Sequence, residues 1–248
     1  MVRLTSVLLL VLGITLGCEK TLTVRFNLDG TIKGKIITYD EFGYTIQDHE
    51  NIRIRLEGSD PLISTLSDST GHYRIEHVPA GTYNLIASAE GYGDKVRQSF
   101  QFVGGDIPTY CDFTILKIPE ITIDSLSLVV EDNDIYLKGT VSSEYPIDPN
   151  NPGSPPRIPS IRFFIDKDPE PSGTNYLATD IAMLDRESNW QINTPVRLLP
   201  YLFSSGDRLY LVAYGCNAAE SGYFDFFRGK NIYNCLGEPS EIVSITIP

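Results

Sequence analysis

The chain has 248 residues, with 20 lysines and arginines against 32 aspartates and glutamates, a formal net charge of −12 and a pI near 4.6. Grooves for nucleic acid and electrostatic attachment to anionic membranes both need clustered cations; here the cations are scattered singly, which excludes both. With 42% hydrophobic and 21% charged residues the chain can bury real cores, and its length suits roughly two domains of ~100 to 200 residues each.

Met1 to Lys20 read MVRLTSVLLLVLGITLGCEK, with one positive charge at Arg3, an apolar run from Val7 to Leu16, then Gly17 and Cys18. Such a run is too short for a bilayer span, which takes about 20 residues, and has the make-up of a secretory signal, whose apolar part is ~7 to 15 residues long. The segment Thr15-Leu16-Gly17-Cys18 resembles a bacterial lipoprotein signal, with Thr15 standing where leucine is usual. That resemblance implies a signal peptide over 1–17, a lipid anchor on Cys18 and a tether over 18–29. The polar start at Glu19 and Lys20 is similar to lipoproteins of Bacteroides-type bacteria, which implies a lipid-anchored place in the outer membrane or at the cell surface.

From there on, period-2 alternation bounded by turn residues recurs, and no long stretch has apolar residues at helical spacing, which predicts an all-β chain. Seven strands are predicted in the first part: Thr31 to Tyr39, Asn51 to Glu57, Ile63 to Ser67, His72 to Val78, Thr82 to Ala89, Lys95 to Val103 and Tyr110 to Lys117. In Asn51 to Glu57 the apolar side chains fall on one face and the charges on the other, as in a half-buried strand. Asp68-Ser69-Thr70-Gly71 and Pro79-Ala80-Gly81 read as turns, with Asp and Ser bonding their own backbone and Gly supplying positive φ. The run from Gly34 to Gly91, with DSTGHY, VPAGTY and EGY in order, resembles the carboxypeptidase regulatory-like domain, a transthyretin-like sandwich. The resemblance implies a non-catalytic accessory or scaffold module over 30–117.

Ile118-Pro119 reads as a connection, because proline lacks a ladder donor. Beyond it, strands are predicted at Glu120 to Glu131, Asp134 to Ser143, Ser160 to Asp166, Tyr176 to Leu184, Trp190 to Thr194, Arg208 to Asn217 and Ile242 to Ile247, a second sandwich over 118–248. Leu209 to Asn217 is similar to a strand of fibronectin type III-like domains, which implies an immunoglobulin/fibronectin type III-like fold. The proline-rich stretch from Glu144 to Pro159 cannot pair in a central strand and reads as a long exposed loop.

Three cysteines remain besides Cys18. Export would place them where disulfides persist, and Cys216 and Cys235 form the candidate pair, closing a loop whose constraint is worth about 3 kcal/mol in the chain-entropy model. Cys111 reads as a buried inert thiol. None of His49, His72 and His77 has a glutamate three residues on, and His72 and His77 have opposite parity on one predicted strand, so no carboxypeptidase-type zinc centre is expected. The carboxylate-rich turns Asp132-Asn133-Asp134 and Asp166 to Glu170 lack the spacing of a calcium loop. No catalytic residue, metal or cofactor is predicted.

Between the two cysteines, Ser221 to Asn234 carries five aromatics, a density that a loop cannot bury on one side. Tyr223, Phe224, Phe226, Arg228 and Tyr233 are the candidate ligand-binding residues, since aromatic faces beside a few polar groups suit sugar stacking. The alternative is that Phe224 and Phe227 pack beneath the loop. Together these features point to a non-catalytic envelope component that binds a polysaccharide or an envelope protein. The other reading is an adhesin- or pilus-like subunit assembling by strand addition, with Thr21 to Phe26 as its donor run.

Overall fold

The computed structural model describes residues 29–132, 134–143, 151–153, 159–182, 184–185, 190–197, 202–217 and 222–248. The signal segment, Cys18, the strand-addition run, Asn133 and most of the proline-rich loop lie outside the described residues. What is described is an all-β protein with two separate cores.

The first core is enclosed by β1 (Asp29–Tyr39), β2 (Thr45–Ile46), β3 (Arg53–Glu57), β4 (Ile63–Leu66), β5 (His72–Pro79), β6 (Gly81–Ser88), β7 (Lys95–Phe102), β8 (Gly105–Tyr110) and β9 (Phe113–Leu116). One sheet is built on β1, with β5 antiparallel on one side, β8 then β9 parallel on the other, and β2 at its far end; the opposing sheet runs β4-β3-β6-β7. Alternation fixes which face of each strand is buried. In β1, Ile32, Ile36 and Thr38 are buried and Lys35 and Ile37 are exposed, while β3 contributes Ile54 and Leu56 to the same interior. Each such aliphatic side chain contributes about 1.5 to 3 kcal/mol by leaving water. Gly34 is required because a Cβ there would meet the backbone carbonyl of Cys111 and the ring of Tyr73, whose hydroxyl donates to that same carbonyl oxygen.

Two details depart from the alternation. The predicted strand Tyr110 to Lys117 is two elements, because Cys111 and Asp112 break the ladder between β8 and β9. His72 and His77 do not point to opposite faces: His77 adopts a left-handed φ of 55°, which re-sets the parity so that both are exposed while Ile75 and Val78 are both buried. His49 is a buried histidine whose Nδ1 is hydrogen-bonded to Thr38 Oγ1 at 2.7 Å.

The second core lies between two sheets. One is β10 (Thr122–Glu131), β11 (Asp134–Ser142), β15 (Gln191–Pro195) and β14 (Leu184–Asp185), in that order. The other runs β13 (Ala178–Ala182), β12 (Ser160–Asp166), β16 (Arg208–Cys216), with β19 (Leu236–Pro239) and β20 (Val243–Thr246) pairing in succession along the free side of β16. The two sheets face each other as a second β-sandwich. Phe163, Leu209, Leu211 and Ala213 point into its core beside Leu137 and Trp190.

The residues of opposite parity, Phe164, Val212 and Cys216, are also buried, so the outer face of this sheet is covered. The cover is a hairpin of β17 (Gly222–Asp225) and β18 (Lys230–Tyr233), which forms a small sheet of its own. Phe164, at 0% exposure, packs its ring centroid 5.3 Å from Tyr176, 5.7 Å from Tyr214 and 5.4 Å from Tyr233. Arg162 lies 4.4 Å above the Tyr233 ring and Lys230 lies 4.7 Å from the Tyr176 ring, closing the cluster with cation–π contacts.

Candidate functional site

The hairpin also reaches the first sandwich. Asn217 donates through Nδ2 to the Asp40 carbonyl oxygen at 2.7 Å, and Asn234 Nδ2 donates to that of Asp94, also at 2.7 Å. Cys235 places its Sγ 3.3 Å from the Leu116 carbonyl oxygen. Gly93 is needed there, since a Cβ on it would stand 2.5 Å from the Cβ of Cys235. These contacts hold the β17–β18 turn beside β7 and β9.

Cys216 and Cys235 are therefore not the disulfide the spacing suggested: both are buried free thiols, as is Cys111. Cys235 stands in a bend just before β19, close enough to Cys216 for that thiol to raise its own further. Cys216 is held in the outer face with Arg162, whereas Cys235 turns towards the first sandwich. Burial pushes both thiols up to about 11.

The five candidate aromatic and arginine residues divide into two groups. Tyr223, Phe224 and Phe226 line a cleft of about 520 Å³, whose other wall is Lys95, Arg97 and Gln98 of β7 with Asp112, Phe113 and Thr114 beside and on β9. Phe224 and Phe226 are 48% and 70% exposed, and their rings meet edge to face at 5.4 Å and 78°. Two outward apolar rings held by one turn form a stacking surface rather than a packed core. The other two residues stand away from this cleft. Tyr233 belongs to the cluster around Phe164, on the opposite strand of the hairpin, and Arg228 closes the exposed turn through an ion pair with Asp225 at 3.8 Å. The alternative of Phe224 and Phe227 packing beneath a loop is also not what forms, since both are exposed.

Gln98 sets the turn. Its Oε1 accepts the backbone N–H of Phe226 at 3.0 Å, and its side chain also bonds the Asp225 carboxylate. Burial works against the charge of Asp225, but the N–H groups of Arg228 and Phe227, with Gln98, outweigh it and hold the carboxyl below its ordinary range. Lys95, Arg97, Gln98 and Thr114 carried no sequence signal as site residues, because they reach the aromatic turn only through the docking of one sandwich on the other.

A second, larger cleft of about 800 Å³ lies on the outer face of the β1 sheet, lined in part by Lys33, Lys35, His72, Arg74, Tyr110 and Asp112. Asp112 borders both clefts. Among the described residues, no group of three or more His, Cys, Asp or Glu side chains is placed to hold a metal ion. No described helix is long and apolar enough to cross a membrane.

No curated protein matches the chain. Among solved structures, a protein from Bacteroides uniformis to which carbohydrate binding has been attributed aligns over 88% of this chain and 99% of its own, at 17% identity and a TM-score of 0.32. A DUF3823 family protein from Parabacteroides merdae aligns over 89% of this chain and 100% of its own, at 11% identity and a TM-score of 0.31. Two B repeat units of the collagen binding protein of Staphylococcus aureus align over 89% of this chain and 50% of theirs, at 13% identity and a TM-score of 0.27. The family model of the carboxypeptidase regulatory-like domain matches residues 31–116, so the sandwich that supplies β7, β9 and the outer face of β1 is of that type.

Proposed function

We propose that this protein is a non-catalytic binding component of a bacterial cell envelope, anchored by lipid on Cys18, and that it takes a glycan in the cleft between the β17–β18 turn and β7. The observation that carries the reading is the pair Phe224 and Phe226, exposed edge to face on one wall and opposed by Arg97, Gln98 and Thr114 on the other. Flat apolar rings take the C–H face of a sugar, and convergent polar groups fix its hydroxyls. The test is native affinity electrophoresis through gels containing single polysaccharides. Retardation by at least one, lost in Phe226→Ala, supports the reading; unaltered mobility in every gel rejects it. Anchoring is tested separately by metabolic labelling with a tagged fatty acid, where Cys18→Ala should abolish the label.

A second reading, assembly by strand addition, is favoured by one feature. Among the described residues β8 pairs only with β1, and Ile107 on it is 84% exposed beside Val103 at 80%. A chain that stays monomeric at high concentration by sedimentation velocity, before and after proteolysis at Arg25, would reject this reading.

A further inference from the structure

The outer face of the β1 sheet is more ordered than a random exposed surface. Register places Arg74, Lys33 and Tyr110 in one row across β5, β1 and β8. His72 lies opposite Lys35 in the next row, which ends on Asp112, whose Oδ1 accepts the Lys35 backbone N–H at 2.7 Å. Lys33 stands directly opposite Arg74, and like charges so placed are destabilising. Neither Lys33 nor Lys35 makes an ion pair among the described residues.

Two acids, Asp68 and Asp112, also line the clefts, and Glu76 pairs with Arg74 at 2.6 Å, so this row is neutralised only in part. Lys95 and Arg97 add two further cations on the far side of Asp112. Five cations against two carboxylates thus line the two adjoining clefts of a chain whose net charge is −12. Local charge of the sign opposite to the whole is what an anionic ligand would select.

Resting on the glycan reading above, we propose that the occupant is an acidic polysaccharide, bearing a carboxylate on its sugars, that runs from the Phe224–Phe226 turn across Asp112 onto the Lys33 and Lys35 rows. The aromatics stack sugar faces at one end, and Lys33, Lys35 and Arg97 take the carboxylates along the path. The length of the track makes binding depend on chain length.

The test uses the full chain in non-ionic detergent and polygalacturonate as ligand, with neutral galactan and polyglutamate as comparisons. Polygalacturonate should bind most tightly, weakening as salt rises. Lys33→Gln and Arg97→Gln should each raise its dissociation constant about tenfold, the scale of one charge-assisted hydrogen bond. Affinity for short oligogalacturonides should climb with each added sugar until both clefts are spanned. Equal binding of galactan, or indifference to Lys33→Gln, overturns the acidic-glycan proposal and leaves the glycan reading standing. Equal binding of polyglutamate overturns a sugar as the occupant of the track. No binding to any glycan overturns both.

Discussion

Gln98 Oε1 accepts the backbone N–H of Phe226 at 3.0 Å, so a side chain of the first sandwich sets the orientation of an aromatic carried by the second. Gln98→Ala removes this hydrogen bond and the one to Asp225. At an exposed turn the expected loss of stability is small, about 1 kcal/mol. Glycan retardation should fall much more than the melting temperature does, since only the aim of the turn is lost.

Phe164 and Phe226 should behave in opposite ways. Phe164 has no exposure and joins three aromatic rings, so Phe164→Ala should cost about 3 to 5 kcal/mol by chemical denaturation. Phe226 is largely exposed, and Phe226→Ala should leave stability within about 0.5 kcal/mol while abolishing retardation.

Asn217 is buried and spans the two sandwiches through the carbonyls of Asp40 and Lys117. Asn217→Ala removes this donor from two part-buried carbonyls, a loss of about 1 kcal/mol. Calorimetry should show one thermal transition becoming two, and limited proteolysis near Pro119 should accelerate.

The thiols should be inert in the native state. Burial raises Cys216 and Cys235 to about 11, and raises Cys111 in the same direction, which leaves little thiolate at neutral pH. Iodoacetamide at pH 8 should label none of the three until the chain is denatured, as read by peptide mass. Protection that disappears on adding a reductant alone would instead reveal a disulfide.

Acid should weaken the fold through Asp68 and Asp207. Hydrogen bonds from Thr70 and from Lys167, respectively, lower these carboxyls below their ordinary 3.8. A depressed carboxyl stabilises the fold above its unfolded value, and the contribution is lost as pH falls through the folded one. Stability should therefore begin to drop below about pH 4, and Asp68→Asn should flatten that limb in a pH series of urea melts.

The strands were readable because alternation is local. Ile32 and Ile36 against Lys35, or Leu209, Leu211 and Ala213 in one core, follow from spacing alone. The apolar character of Phe164 and Val212 hinted at a second buried face without saying what covers it. Tyr233 and Phe226 are chemically similar and seven residues apart, yet one is packed and the other exposed. What separates them is a contact with β7, set by partners more than a hundred residues away. The free state of Cys216 and Cys235 was hidden for a related reason: loop length allows a disulfide but does not set where each thiol points.

The long reach of Cys235 to the Leu116 carbonyl, 119 positions apart in the chain, bears on how the molecule is made. A chain that emerges amino end first presents a finished first sandwich while its seam at Asp40, Leu116 and Lys117 is still bare, because Asn217 and Cys235 arrive last. During that interval the side of those carbonyls that Asn217 and Cys235 later cover faces water, even though Gly43 and Gly93 already donate to two of them, and an extended peptide nearby can take that place. The order of synthesis thus makes the seam, rather than either core, the point at which assembly of this protein is most exposed to interference.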